Sequence, residues 1–116
     1  MFAIRGAIQV EHDTAEAMAT AVRELCAAIV SDNALALDEI VYAFFTLTPD
    51  LRADFPARAA REHGWTMVPM MCAQEIAVPG ALPRVCRVMV LVDADGSPNH
   101  VYLRGAKVLR PDLVKR

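Results

Sequence analysis

The sequence predicts an α+β fold, a mixed β-sheet with helices packed on one face. Three observations predict it. Alternating or β-branched apolar runs recur from one end of the chain to the other. Two segments with helical signals lie between those runs, one with an apolar stripe at 3.6-residue spacing. The resulting order is β-α-β-α-β, followed by short strands expected to pair as hairpins. With 116 residues and no linker, repeat or low-complexity segment, residues 1–116 read as a single domain.

Each element has its own warrant. From Phe2 to Val10, Phe2, Ile4, Ile8 and Val10 fall on one face, while Ala3, Arg5, Ala7 and Gln9 fall on the other. Arg5 therefore projects away from the apolar face. Asp13-Thr14-Ala15-Glu16 reads as a helix start with an acidic cap and Glu three positions on. Met18, Ala21, Val22, Leu25 and Ile29 then form a buried stripe, and Ser31-Asp32-Asn33 ends the helix. Ile40 to Leu47 is β-branched and aromatic enough for a buried strand, broken by Thr48-Pro49-Asp50. Pro56 to His63 is a short helix, with proline in its first turn and Gly64 as its stop. Trp65 to Cys72 reads as a strand that Pro69 demotes to an edge or a strand end. Ala73 to Pro83 is mostly loop. Val85 to Val92 is a strand, and Asp93 to Pro98 is a turn. His100 to Arg104 and Ala106 to Leu109 read as short strands, and Arg110-Pro111-Asp112 begins the tail.

Composition narrows the function. Hydrophobic residues make up 55% of the chain, above the usual ~45–50%, which points to a buried subunit interface. The net charge of -2 lacks the basic excess of a nucleic-acid binder. Cys26, Cys72 and Cys86 make an odd set without C-x-x-C spacing, unlike a disulfide framework or zinc knuckle. A reducing cytoplasm is the expected location. The start Met1-Phe2-Ala3-Ile4-Arg5-Gly6 has no signal-peptide pattern, and no apolar run reaches the ~20 residues of a membrane span.

Familiar catalytic motifs are missing. The five glycines are too scattered for a phosphate loop, and no G-x-S-x-G elbow occurs. His12, His63 and His100 are far apart, so no metal site is expected. Cys72 reads as packing in preference to a nucleophile. An enzyme built this way has to rely on positioning and electrostatics, without a metal, nucleotide or cofactor. The cations suit such chemistry. Ten are Arg and two are Lys, and Arg is the better fork for a carboxylate. Codon bias explains the bulk ratio equally well. Individual positions are more informative. Arg87 interrupts the apolar run Val85 to Val92 and must find an edge, a partner or a ligand. On periodicity alone, a side chain snorkelling from a solvated face serves as well.

Short segments then combine into a resemblance. They are Ile4-Arg5-Gly6-Ala7 with Val10-Glu11, Thr48-Pro49-Asp50-Leu51, Phe55-Pro56-Ala57 with Arg61, and Gly64-Trp65. Val68-Pro69, Cys72-Ala73-Gln74-Glu75, Arg87-Val88-Met89 and Val101-Tyr102-Leu103 follow in order, and Gly105 through Leu113 closes the set. The ordered set spans essentially the whole chain. It resembles the small monofunctional chorismate mutases that form trimeric pseudo-α/β-barrels. The resemblance implies a cofactor-free isomerase that converts chorismate to prephenate in aromatic amino-acid (Phe/Tyr) biosynthesis. It implies Arg87 at the ether oxygen and a carboxylate, and Arg5 as the second substrate arginine. Tyr102 is implied to bind a carboxylate, and Glu75 to accept the ring hydroxyl with Cys72 beside it. Phe55 and Leu109 are implied as pocket walls, with Arg61 and Arg110 as charged groups near the mouth. It also implies a homotrimer with Arg5, Glu75, Arg87 and Tyr102 of one chain facing Phe55 and Arg61 of the next. Read without the resemblance, Glu75 is a solvated loop acid and Tyr102 a half-buried strand tyrosine.

The chain departs from that pattern in places. Arg58 stands where the family commonly has lysine, another cation. Met70-Met71 stands where smaller or hydroxyl-bearing residues are common, which bears on pocket shape. Only three residues follow Leu113, so a C-terminal closing segment is expected to be curtailed. Two other readings stand beside the mutase: a small trimeric enamine/imine deaminase, and a non-catalytic trimeric binder of an anionic metabolite. The joint spacing of Glu75, Arg87 and Tyr102 favours the mutase.

Overall fold

A computed structural model describes residues 1–114; Lys115 and Arg116, part of the tail expected to be short, lie outside the described residues. Five strands and two α-helices form the fold: β1 (Phe2–Gln9), α1 (Ala15–Asp32), β2 (Ile40–Leu47), α2 (Pro56–Glu62), β3 (Met70–Gln74), β4 (Val85–Val92) and β5 (Val101–Leu103). The sheet order is β3-β2-β4-β1-β5. β4 runs antiparallel to β1 and β2, while β3 is parallel to β2 and β5 is parallel to β1. The expected mixed sheet is present, but the expected hairpin pairing after β4 is not. Both flanks of β4 are already occupied, so the returning chain finds its free backbone groups at the outer edge of β1.

One face of the sheet carries the main core. Ile4 and Ile8 of β1, Phe45 of β2 and Cys86, Val88 and Val90 of β4 meet the α1 stripe Met18, Ala21, Val22, Leu25 and Ile29. Burying each large aliphatic side chain contributes roughly 1.5–3 kcal/mol. Gly6 sets the spacing between α1 and the sheet. A Cβ there would lie 2.9 Å from Val88 Cγ1, 3.0 Å from Ile29 Cδ1 and 3.2 Å from Leu25 Cδ1. The small residues Ala57, Ala59 and Ala60 likewise let α2 lie close against α1 and β3.

Local differences have local causes. The α1 cap is Thr14, whose hydroxyl accepts from the Ala17 amide at 3.1 Å. Asp13, the expected cap, instead accepts the Arg52 and Ala53 amides at 2.8 and 2.9 Å, tying the helix start to the loop that leads to Phe55. The expected strand from Trp65 begins only at Met70. Trp65 donates its amide to the Ala60 carbonyl and plugs the core, so it closes α2 in place of joining a ladder. β3 is an edge strand and begins just after Pro69, consistent with the expected edge or strand end. The expected strand at Ala106–Leu109 is a 3-10 turn spanning Arg104–Val108, with the Leu109 amide donating to the Ala106 carbonyl. Gly105 packs on the Gln9 side chain, whose amide end would have to move aside for a Cβ.

Candidate active site

Strand alternation and register build the site on the face opposite the helices. Arg87 lies beside Thr46 of β2 on one side and Ala7 of β1 on the other, and Ala7 lies beside Tyr102 of β5. Thr46, Arg87, Ala7 and Tyr102 therefore form one row across four strands. The next row holds Phe44, Met89 and Arg5. Ala7 is fully buried in a second small cluster with Val85, Tyr102 and Ala106. A hollow of about 230 Å³ is lined by Arg5, Thr46, Phe44, Arg87, Met89 and Tyr102 among others.

Arg87 is 45% exposed through its side chain, and its Nε lies 3.2 Å from Glu75 Oε2. That same oxygen accepts the Thr46 hydroxyl at 2.6 Å. The Glu75 amide donates to the Leu47 carbonyl at 2.8 Å, which anchors the acid just beyond the end of β3. A second hollow, of about 740 Å³, shares Arg87 and adds Glu75, Gln74, Leu82 and Leu109. On the far side, the Arg5 amide donates to His100 Nδ1 at 2.9 Å. Partial burial, then the positive charges of Arg5 and Arg110, hold the His100 pKa below its ordinary 6.5. Arg110 is partly exposed and forms a two-pronged contact with Asp112, Nε to Oδ1 at 3.1 Å and Nη2 to Oδ2 at 2.8 Å.

The other residues singled out by the resemblance lie elsewhere. Phe55, Arg58 and Cys72 line a hollow of about 650 Å³ that has no lining residue in common with the Arg5–Tyr102 hollow. Phe55 is 61% exposed, and Arg58 Nε lies 3.4 Å from Asp54 Oδ1. Arg61 is exposed on α2 and lines none of these three hollows. The resemblance implies Cys72 beside Glu75, and the structure corrects this. Cys72 pairs in register with Phe45 and packs toward the core, whereas Glu75 reaches Thr46 and Arg87 on the opposite face. The three-residue separation dictates opposite faces in extended chain. One chain thus brings together Arg5, Glu75, Arg87, Tyr102 and Leu109, and separately Phe55, Arg58 and Cys72.

Thr46 and His100 do not stand out in the sequence. The only signal for Thr46 is a hydroxyl within an apolar strand, and for His100 a polar residue at a strand start. Among the described residues no group of three His, Cys, Asp or Glu side chains is arranged to hold a metal. No helix among the described residues is long and apolar enough to cross a membrane.

Two arginines and a tyrosine line one open hollow, and Arg87 shares the adjoining hollow with the Glu75 carboxylate, an arrangement that suits an anionic small molecule. The family model for chorismate mutase type I matches residues 1–113. The chain belongs to the type I chorismate mutase family. Its relatives include a chorismate mutase, AroH, of Thermus thermophilus, 48% identical over 95% of this chain and 93% of that protein. Another is the AroH chorismate mutase of Bacillus subtilis, 43% identical over 95% of this chain and 90% of that protein. Among solved structures, a chorismate mutase from Clostridium thermocellum superposes with a TM-score of 0.90 at 44% identity, covering 93% of this chain and 99% of that one. A chorismate mutase has to hold a flexible dicarboxylate in a folded conformation and meet charge that develops on an ether oxygen. Fixed guanidinium groups can do both.

Proposed function

We propose that this chain catalyses the Claisen rearrangement of chorismate to prephenate, without a covalent intermediate, at a cleft between subunits of a homotrimer. The observation that carries the mechanism is the Arg87 guanidinium. It is placed mid-sheet by β4, steadied through Nε by Glu75, and lines a hollow together with Arg5 and Tyr102.

The reaction is unimolecular. One C–O bond breaks as one C–C bond forms, so no proton donor, nucleophile or cofactor has to take part. The enolpyruvyl side chain must first fold over the ring. Arg5, Arg87 and Tyr102 hold the two carboxylates and impose that conformation, which lowers the entropic part of the barrier. Electron density then moves onto the breaking ether oxygen, where Arg87 lies ready. Its charge persists at any physiological pH, and its planar fork needs little reorganisation. Glu75 accepts the hydrogen of the ring hydroxyl and orients the ring.

The second wall comes from the neighbouring subunit: Phe55, Arg58, Arg61 and, because it shares a hollow with Phe55, Cys72. Arg110 lies near the mouth beside Leu109. Support for the assembly comes from the bare sheet face, where Tyr42, Phe44, Met71 and Met89 expose large apolar surfaces that a monomer would leave in water. Chorismate incubated with purified protein and chelator should be consumed and prephenate formed, while sedimentation gives three times the 12.7 kDa chain mass. Absence of turnover would overturn the reaction, and an active monomer would overturn the interface site.

A further inference from the structure

We infer that Thr46 is a positioning residue for the reaction, fixing the Glu75 carboxylate so that Oε2 is held within the protein and Oε1 is left for the ring hydroxyl. The inference rests on Glu75 accepting that hydroxyl.

Glu75 sits past the last residue of β3, where a glutamate has three rotatable torsions and no ladder to restrain it. Two contacts to β2 remove that freedom. The backbone is tied to Leu47 through its amide, and the side chain is tied to Thr46 through a 2.6 Å bond from the hydroxyl. That length is typical of a hydroxyl bound to an ionised carboxylate, one of the stronger classes of hydrogen bond. Threonine suits this role because its β-branched side chain is stiff at χ1, and the strand backbone fixes where it starts. Thr46 also neighbours Arg87 in the sheet register, so one rigid row aims both contacts at Oε2. Among the described residues, Oε1 makes no hydrogen bond. Without the hydroxyl, Glu75 is free to turn both oxygens onto the Arg87 fork, the usual preference of an isolated carboxylate–guanidinium pair. The acceptor would then be withdrawn from the substrate.

The test compares Thr46→Val, Thr46→Ser, Glu75→Gln and the Val/Gln double variant, with kcat and KM for chorismate measured for each. Valine keeps the shape and strand preference and removes only the hydroxyl. Thr46→Val should raise KM about tenfold with kcat nearly unchanged, because the ring-hydroxyl contact exists in both ground and transition states. Thr46→Ser should restore KM to within about threefold of the parent. In the Glu75→Gln background the Val substitution should add less than about twofold, since the residue it acts through is already altered. Parental constants for Thr46→Val, or a full tenfold effect on top of Glu75→Gln, would overturn the inference. So would a loss that serine does not restore and that tracks a lower unfolding midpoint. If Glu75→Gln itself leaves KM unchanged, the role of Glu75 fails first and the inference falls with it. Thr46→Ala, checked by circular dichroism, takes the place of Thr46→Val if the valine protein does not fold.

Discussion

The two faces of the sheet are built from the same five strands and behave as opposites. On the helix side, β4 contributes Cys86, Val88, Val90 and Val92, all buried and all satisfied by α1 and its neighbours. On the other side the same strand contributes Arg87 and Met89, both exposed, with Phe44 and the 68%-exposed Met71 nearby. One face is complete within a chain. The other pairs Arg87 with Glu75, buries Ala7, Val85 and Tyr102, and leaves Phe44, Met71 and Met89 exposed. The covered face therefore holds most of the buried core, and the other face holds the residues proposed to bind substrate.

That contrast can be broken by substitution. Arg87→Ala should cost about 10³-fold in kcat, the scale on which loss of one preorganised donor to a developing oxyanion is felt. Its unfolding free energy should change by less than about 1 kcal/mol, because a half-exposed ion pair contributes little. A modest loss of turnover, or a collapsed protein, would erase the division between the faces. Gly6→Ala lies on the opposite face of the neighbouring strand and should do the reverse. Its new methyl must displace Val88, Ile29 and Leu25, a crowding cost of about 2 kcal/mol. Thermal unfolding should read that cost, with chorismate turnover at low temperature nearly retained. Unchanged stability would show that α1 can retreat from the sheet.

The smallest expected effect concerns pH. The folded-state pKa of His100 lies below its ordinary 6.5 because of burial and the charges of Arg5 and Arg110. Near that pH the unfolded chain binds more protons at this site than the folded one. The His100 contribution is thus present above pH 6.5 and is lost as pH falls through the folded-state value. His100→Asn keeps an acceptor for the Arg5 amide and removes the titration. The urea midpoint of the variant should fall less than the parent's between pH 7.5 and 5.5. Parallel declines would show that His100 does not couple to folding.

The buried face of the fold is easier to read from sequence than the site. Met18, Ala21, Val22, Leu25 and Ile29 are spaced as a helix must space them, and Ile40–Leu47 and Val85–Val92 have the composition strands need. Trp65 misleads because its aromatic bulk suits a strand and a core plug equally, and only the Ala60 carbonyl that receives its amide distinguishes them. The two short C-terminal strand candidates are ambiguous for the same reason: three or four residues carry too little periodicity to separate a strand from a 3-10 turn. The resemblance names the candidate site residues and implies that Arg5, Glu75, Arg87 and Tyr102 lie apart from Phe55 and Arg61; it does not foretell Cys72 lying apart from Glu75. The separation of Cys72 from Glu75 follows from strand alternation continuing past Cys72, where the sequence reads as loop from Ala73 onward.

By itself, then, the sequence determined the composition of the two faces: which residues are apolar at strand or helix period, that arginine interrupts β4, and that Gly6 is small. These are local properties, set by side-chain chemistry and backbone spacing. Tertiary structure alone decided that β5 lies beside β1, that Ala7 separates Arg87 from Tyr102, and that Thr46 reaches Glu75 from 29 positions away. Each of those depends on which strands become neighbours. Strand order is settled by the burial of the whole helix-facing surface at once, and no segment carries that information alone.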